Sequence, residues 1–385
     1  EESFLHQVPF VNFLKVRFSW GANGNQAINR YQSLSTIEPK DNYDYLFDGN
    51  TAYGIAATAM GNPDLKWEST YATNYGVDFE LFHSRVSGSI NYYNSNTRNL
   101  LVQRNIPNLN GFSSVVSNLG AVNNRGLEIE LTTINVDNGS IKWQTGVNFA
   151  RNKNKIVHLY GVRDANGKEE DDISNQWFIG KSLGAYYNYK PTGIWQKGDE
   201  IPTGFRAGDV KLKDVNGDGA ITADQDREIL GYNKPDFTFG FNTTVQYKGF
   251  SLYAQVTGSV GGVRNNNDLL DPPVNFTYRM RAIYENWWTP DNPSRTLPSL
   301  DYQDAYHIYF LQSTTWVRIQ DISLSYTFPK AVIDRLKMQR FQLYLSAKNP
   351  FLFTRWGGWD PETTGSGRSQ YPTMRSLILG VNLSL

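Results

Sequence analysis

Apolar and polar side chains alternate along this chain in segment after segment, and that period of two limits its fold more than any other feature. Tyr71, Thr73, Tyr75, Val77, Phe79 and Leu81 fall on one side of a strand, with Ala72, Asn74, Gly76, Asp78 and Glu80 on the other. Successive residues of an extended chain point to opposite faces, so such a run is a strand with one greasy side. Val86, Gly88, Ile90 and Tyr92 oppose Ser87, Ser89 and Asn91 in the next run. Ile141, Trp143, Thr145, Val147 and Phe149 oppose Lys142, Gln144, Gly146, Asn148 and Ala150. Residues 13–20, 126–134, 237–247, 250–258, 341–347 and 377–385 read the same way. Parity breaks once, in 316–328: Val317 and Ile319 are odd while Ile322, Leu324, Tyr326 and Phe328 are even, which predicts a β-bulge near Gln320-Asp321. The total is about ten strands of roughly ten residues, the length a tilted strand needs to cross a bilayer. Helical spacing is confined to the short segment 330–337, after Pro329.

A soluble sandwich also has one apolar face per strand, so the connections have to decide. His83-Ser84-Arg85, Asp137-Asn138-Gly139-Ser140 and Lys248-Gly249 make tight turns, with Asn138-Gly139 the strongest hairpin signal. Segments 24–66, 98–118, 153–236, 262–315 and 350–373 are long connections, and short and long alternate strictly along the chain. Long irregular loops are uncommon inside a compact domain, whereas an outer-membrane barrel has short turns on its periplasmic rim and long loops outside. Strand parity then puts both chain ends on the periplasmic side. Trp20, Tyr71, Trp143, Phe237, Tyr247 and Phe328 lie near strand ends, as an interfacial aromatic girdle requires.

Composition agrees. A hydrophobic content of 39% looks soluble, but a membrane barrel needs only every second residue apolar. No stretch is apolar enough for a spanning helix. With 37 Lys+Arg against 37 Asp+Glu there is no electrostatic footprint for nucleic acid. The absence of Cys removes disulfide scaffolds, thiolate metal sites and Cys nucleophiles. Ten strands crowned by connections of up to about eighty residues predict a larger barrel whose N-terminal strands lie upstream of residue 1. The start, Glu1-Glu2-Ser3-Phe4, has neither initiator Met nor leader and is expected of a processed chain or a fragment.

Several motifs in order point to a family. Phe13-Leu14-Lys15-Val16-Arg17-Phe18-Ser19-Trp20-Gly21-Ala22-Asn23-Gly24-Asn25-Gln26 resembles a strand-and-loop signature of SusC/RagA-type TonB-dependent transporters. Asn62-Pro63-Asp64-Leu65-Lys66-Trp67-Glu68, Asn124-Arg125-Gly126-Leu127-Glu128, Asp214-Val215-Asn216-Gly217-Asp218-Gly219 and Trp288-Thr289-Pro290-Asp291-Asn292-Pro293 also match. The resemblance covers the whole chain. It implies an all-β, antiparallel 22-stranded outer-membrane barrel, of which residues 1–385 are the C-terminal portion without the plug or the TonB-contacting segment. It further implies a SusD-like surface lipoprotein as lid, energy from TonB, and import of an oligosaccharide or a peptide. The end, Gly380-Val381-Asn382-Leu383-Ser384-Leu385, departs from the aromatic residue that usually closes such barrels.

Within the large 153–236 connection, Asp214, Asn216, Asp218 and Gly219 fit the first half of a calcium loop, D-x-[DN]-x-[DN]-G, with the Ala220 carbonyl as seventh-position ligand. Gln225 stands at the closing position; the resemblance implies an Asp in that role, and Asp226, after a one-residue insertion, is expected to supply it. The ion would be structural; the competing reading is an Asx-rich turn without one. Trp177, Trp195, Trp287, Trp288, Trp356 and Trp359 are candidate stacking platforms for sugar rings, against simple loop packing. Asp78, Glu80, Glu128 and Glu130 could be mistaken for paired catalytic acids, yet their strand faces suit a solvated lumen. His6, His83, His158 and His307 are scattered without ligand spacing. No Ser-His-Asp constellation stands out. Three readings follow: nutrient import, with no enzymatic step in this chain; an outer-membrane adhesin or enzyme working through its loops; and a soluble β-rich binding domain with the apolar faces in a core.

Overall fold

Hydrogen bonding joins ten strands, in strict chain order, into one antiparallel sheet. The computed structural model describes residues 8–25, 30–39, 44–266, 286–335, 337–363 and 371–384. The strands are β1 (Val11–Asn25), β2 (Glu68–Leu81), β3 (Val86–Asn105), β4 (Ser114–Asp137), β5 (Ile141–His158), β6 (Phe237–Tyr247), β7 (Phe250–Val260), β8 (Trp316–Thr327), β9 (Arg340–Thr354) and β10 (Ser376–Ser384). Each alternating segment of the sequence lies inside one of them, save that Phe328 follows the end of β8. Gln26, residues 267–285 of the 262–315 connection, His6 and Leu385 lie outside the described residues.

Register turns alternation into two faces. Phe18 stands opposite Tyr75, and Tyr75 opposite Tyr92. Ile90 pairs with Ile129, Ile129 with Phe149, and Phe149 with Phe239. The apolar residues therefore form continuous rows across the sheet, and they are bare: Val16 is 75% exposed, and Phe18, Trp20, Trp143, Leu252, Leu345 and Leu379 are also exposed. A face this large and greasy is matched to hydrocarbon rather than water. The soluble-domain reading needs it buried in a core, and the buried apolar clusters of the described residues lie elsewhere, in the connections and strand tops.

The tight turns all fall at one rim. Lys248 and Gly249 both have positive φ, 47° and 87°. At 137–140 only Gly139 does, and Asn138 instead accepts the Ser140 and Ile141 N–H groups through its side chain. The primed-turn geometry expected at Asn138-Gly139 thus occurs at Lys248-Gly249, because an Asx cap lets the longer loop turn with a single left-handed residue. In the first turn Phe82, His83 and Ser84 are all left-handed, and Asn12 Oδ1 accepts the N–H groups of His83 and Ser84. A fourth connection at this rim holds α1 (Lys330–Arg335), one short helical segment where the spacing suggested 330–337. The bulge near Gln320-Asp321 is present: register shifts between Ile319 and Asp321 against β9, and between Gln255 and Val256 against β8.

Two boundaries differ from the sequence reading. Segment 98–118 is mostly strand, since β3 runs to Asn105 and β4 begins at Ser114, with a 3-10 turn at Asn108–Asn110 between them. β5 likewise continues to His158, so its connection begins later than 153. The strand tops extend because they have something to pack on: Val122, Ile156 and Leu159 are buried against Leu100, Val102, Trp177, Ile179 and Leu183. Packing of this kind carries no period-two signature.

Candidate ligand-binding wall and loop crown

The polar face of the sheet is a hydrogen-bonded lattice. Arg17 donates from Nε and Nη2 to the two oxygens of Asp78, at 2.7 and 2.6 Å, and from Nη2 to Asn91 Oδ1 at 2.8 Å. Gly76 leaves room for that guanidinium, since a Cβ there would lie 2.8 Å from it. Asn154 donates to Asn124 at 2.8 Å, and the Tyr93 hydroxyl to Asn152 at 3.0 Å. Asp321 accepts from Ser323 and Ser346 and pairs with Lys348. Of the four acids singled out above, Asp78 is neutralised by Arg17 and Glu80 accepts the Ser84 hydroxyl. Glu128 and Glu130 are exposed on the same face, opposite Asn91 and Ser89 across β3. The arrangement is a wet wall of fixed donors and acceptors.

One niche in this wall, about 400 Å³, is lined by Tyr93, Asn124, Glu128, Asn152, Asn154 and Lys234. Amide, phenol, carboxylate and ammonium groups converge there, a set that can hydrogen-bond sugar hydroxyls or peptide groups. A second cavity of about 630 Å³ lies in the connections, where Lys190, Glu228, Arg295, Tyr309 and Gln312 are among its lining. Lys213 donates to Glu228 at 2.8 Å and, with Lys190 nearby, holds that carboxyl below its usual range. Neither niche is legible in the sequence, because both are assembled from segments far apart along the chain.

The connections carry their own core: Tyr189, Ile194, Val210, Leu212, Trp288 and Ile308 are buried together. Two of the candidate tryptophans are buried in these connections. Trp288 is buried and donates from Nε1 to Gln196 at 3.1 Å. Trp195 is buried beneath Lys211, whose Nζ sits 4.2 Å from the ring. Both pack the loop crown and offer no open ring face to a ligand. Trp177 packs half-buried beside the strand-top cluster, and Trp287 is half-buried with its carbonyl held by Asn292. Trp356 is buried with Arg264 over its ring, while Trp359 is 56% exposed.

The 214–226 segment folds as nested Asx turns. Asp214 accepts the Gly217 and Gly219 N–H groups, Asn216 that of Asp218, and Asp218 that of Ala220. Asn216 Nδ2 donates to Asp218 and to Gln225, which ties the start of the segment to its end. Asp226 is buried and accepts the Thr222 N–H at 2.7 Å and the Val215 N–H at 2.8 Å. Those donors hold its carboxyl below the usual carboxylate range. Among the described residues no three His, Cys, Asp or Glu side chains stand together at metal-binding distances. Any ion here would rest on Asp214, Asn216, Asp218 and the Ala220 carbonyl, with Asp226 already engaged by the backbone.

Residues 10–350 match the profile of the family described as TonB dependent receptor-like, beta-barrel. The chain is 30% identical over 412 residues to TonB-dependent receptor P3 of Formosa agariphila, covering all of this chain and 40% of that protein. It is 27% identical over 406 residues to TonB-dependent receptor SusC of Bacteroides thetaiotaomicron, covering 38% of that protein. It superposes on the solved RagAB peptide transporter with a TM-score of 0.80 at 25% identity, covering 100% of this chain and 42% of the other. The chain therefore spans about two-fifths of the length of the curated relatives it matches.

Proposed function

The chain belongs to the TonB dependent receptor-like β-barrel family, SusC/RagA type, in the outer membrane, and from that premise we propose that it helps import a nutrient. The cargo is an oligosaccharide or an oligopeptide, too large for diffusion pores. The ten strands supply part of a 22-stranded wall, and a SusD-like lipoprotein closes over the loop crown. TonB drives release through a segment outside this chain. The observation that carries this reading is the pairing of a bare apolar face with a polar face whose groups are already hydrogen-bonded to one another. Such a wall keeps its shape when water leaves, so a ligand meets preorganised donors and acceptors. No bond needs to be made or broken here.

The wall niche is where cargo contact is expected. In the full-length receptor with its lipoprotein partner, Glu128→Ala and Asn152→Ala together should lower uptake of the native cargo about tenfold, the loss of one or two ligand hydrogen bonds. Assembly, read from heat-modifiable gel mobility, should be unchanged. Uptake at the wild-type rate by the assembled variant would remove the niche from the path. Supplying defined oligosaccharides and oligopeptides separately to the same cells distinguishes the two cargo classes.

Calcium in the 214–226 loop belongs to the same reading, as a structural ion held by Asp214, Asn216, Asp218 and the Ala220 carbonyl. Support comes from the D-x-N-x-D-G spacing and from left-handed Gly217 and Gly219, which let the segment turn sharply. Calcium should slow amide exchange across 214–226, and Asp214→Ala with Asp218→Ala should abolish that response. Identical exchange with calcium and with chelator would leave the loop as Asx turns alone.

A further inference from the structure

The apolar face does not stay apolar to the rim that carries the long connections. On β5 the outward row runs Trp143, Thr145, Val147, Phe149 and then Arg151, Lys153 and Lys155. On β4 the same face runs from Ile129 and Leu127 to Arg125. Register sets these cations side by side: Arg125 opposes Lys153, Leu127 opposes Arg151, and Asn123 opposes Lys155. On β3, Asn94 opposes Arg125, and Arg98 lies further up, its guanidinium 5.6 Å from the Tyr71 ring centre.

Arg125, Arg151, Lys153 and Lys155 are all exposed, and none of the four makes a hydrogen bond or ion pair among the described residues. Like charges directly opposed across a ladder are destabilising, so the Arg125–Lys153 pair leaves repulsion that the protein itself does not relieve. On the opposite face Arg17 is neutralised by Asp78 and Lys348 by Asp321. Height identifies what could neutralise these. A strand tilted by about 40° climbs roughly 2.5 Å per residue, which puts Arg151 about 25 Å above Ile141, at the top of an apolar belt of about that height. Phe149 and Phe237, their rings 5.5 Å apart, mark the aromatic level just beneath. A shallow hollow lined by Tyr92, Arg125, Leu127, Arg151 and Lys153 opens at this level.

We propose that Arg125, Arg151, Lys153 and Lys155 form a binding site for the phosphate groups of an anionic membrane lipid on the outside of the barrel. The acyl chains lie along Leu127, Ile129, Val147 and Phe149, while the guanidinium and ammonium groups take the headgroup phosphates. This surface serves the bilayer and not the cargo, so it stands independently of what is imported.

The test uses the full-length receptor in zwitterionic phosphatidylcholine nanodiscs, titrated with lipid A bearing two phosphates. Wild type should bind it, with affinity falling as ionic strength rises. Replacing Arg125, Arg151, Lys153 and Lys155 by Gln should weaken binding by at least about tenfold, given that each cation near a charged headgroup contributes on the order of a twofold to fivefold factor. Should that variant fail to assemble, Arg151→Gln with Lys153→Gln is measured the same way and should show a smaller loss. Equal binding by an assembled variant and wild type overturns the site. Equal binding of dephosphorylated lipid A overturns the role of phosphate. Displacement by excess inorganic phosphate with no need of acyl chains would make this a free-anion site and overturn the lipid assignment. Binding of phosphatidylglycerol alongside lipid A agrees with the proposal, since the recognised group is shared.

Discussion

At the scale of single residues, the wall is held by small and large side chains fitted to each other across strands. Gly126, part of the Asn124–Glu128 motif, lies opposite Tyr93, and a Cβ there would come within 2.3 Å of the phenol ring. The ring lies over the glycine, covering a stretch of backbone that would otherwise be bare, and its hydroxyl reaches Asn152. Gly380 and Tyr344 repeat the arrangement between β9 and β10. Gly126→Ala should therefore displace the Tyr93 ring, break its bond to Asn152 and cost about 1–3 kcal/mol, as overpacking does. The check is a double-mutant cycle on unfolding with Tyr93→Ala, because the two changes remove a shared contact and should be far from additive. Additive losses would mean that the ring and the glycine do not interact.

At the scale of elements, the strands divide into a part written in the sequence and a part that is not. Inside the membrane each side chain sees either lipid or the lumen, so β6 is delimited by alternation alone, from Phe237 to Tyr247. Above it, β3 and β4 continue through Leu100, Leu101 and Val102 and through Val115 and Val116, where hydrophobic neighbours in sequence erase the period. The crown was the least legible region. Trp195 and Trp288 look like ligand platforms in sequence, yet Trp288 is buried with Val210, Leu212 and Ile308, and Trp195 lies against Phe205 and Lys211, neighbours that approach only after folding. Asp226 shows how a loop without periodicity is held: its carboxylate accepts N–H groups from both ends of the 215–222 turn. Because its folded pKa is depressed, its contribution is present above the unfolded carboxylate value, about 3.9, and is lost as pH falls through the lower folded value. Amide exchange at Val215 and Thr222, corrected for intrinsic rates, should accelerate below that window in the wild type. In Asp226→Asn it should already be fast near neutrality and should show no such acid step. An unchanged acid step in the variant would place the titrating group elsewhere.

At the scale of the whole molecule, one assignment governs the rest: odd residues of β5 meet hydrocarbon while even residues meet water. Adjacent positions can test it because they share backbone, height and neighbouring strands but differ in face. Val147 lies between Leu131 and Phe241, and Asn148 between Glu130 and Gly240. Both sit about 15 Å above the lower end of β5, near the middle of the belt. An arginine at 147 would have to hold its charge in lipid, at a cost of about 2–4 kcal/mol near the midplane. An arginine at 148 would extend into the lumen beside Glu130, with solvent available and a carboxylate near. Val147→Arg should therefore shift the denaturant midpoint for folding into vesicles strongly downward, whereas Asn148→Arg should leave it within experimental scatter. Equal penalties would mean both residues face the same medium, and the separation of a lipid face from a lumenal face would fail. The reverse order would turn the sheet inside out, taking the phosphate-lipid site and the cargo wall with it.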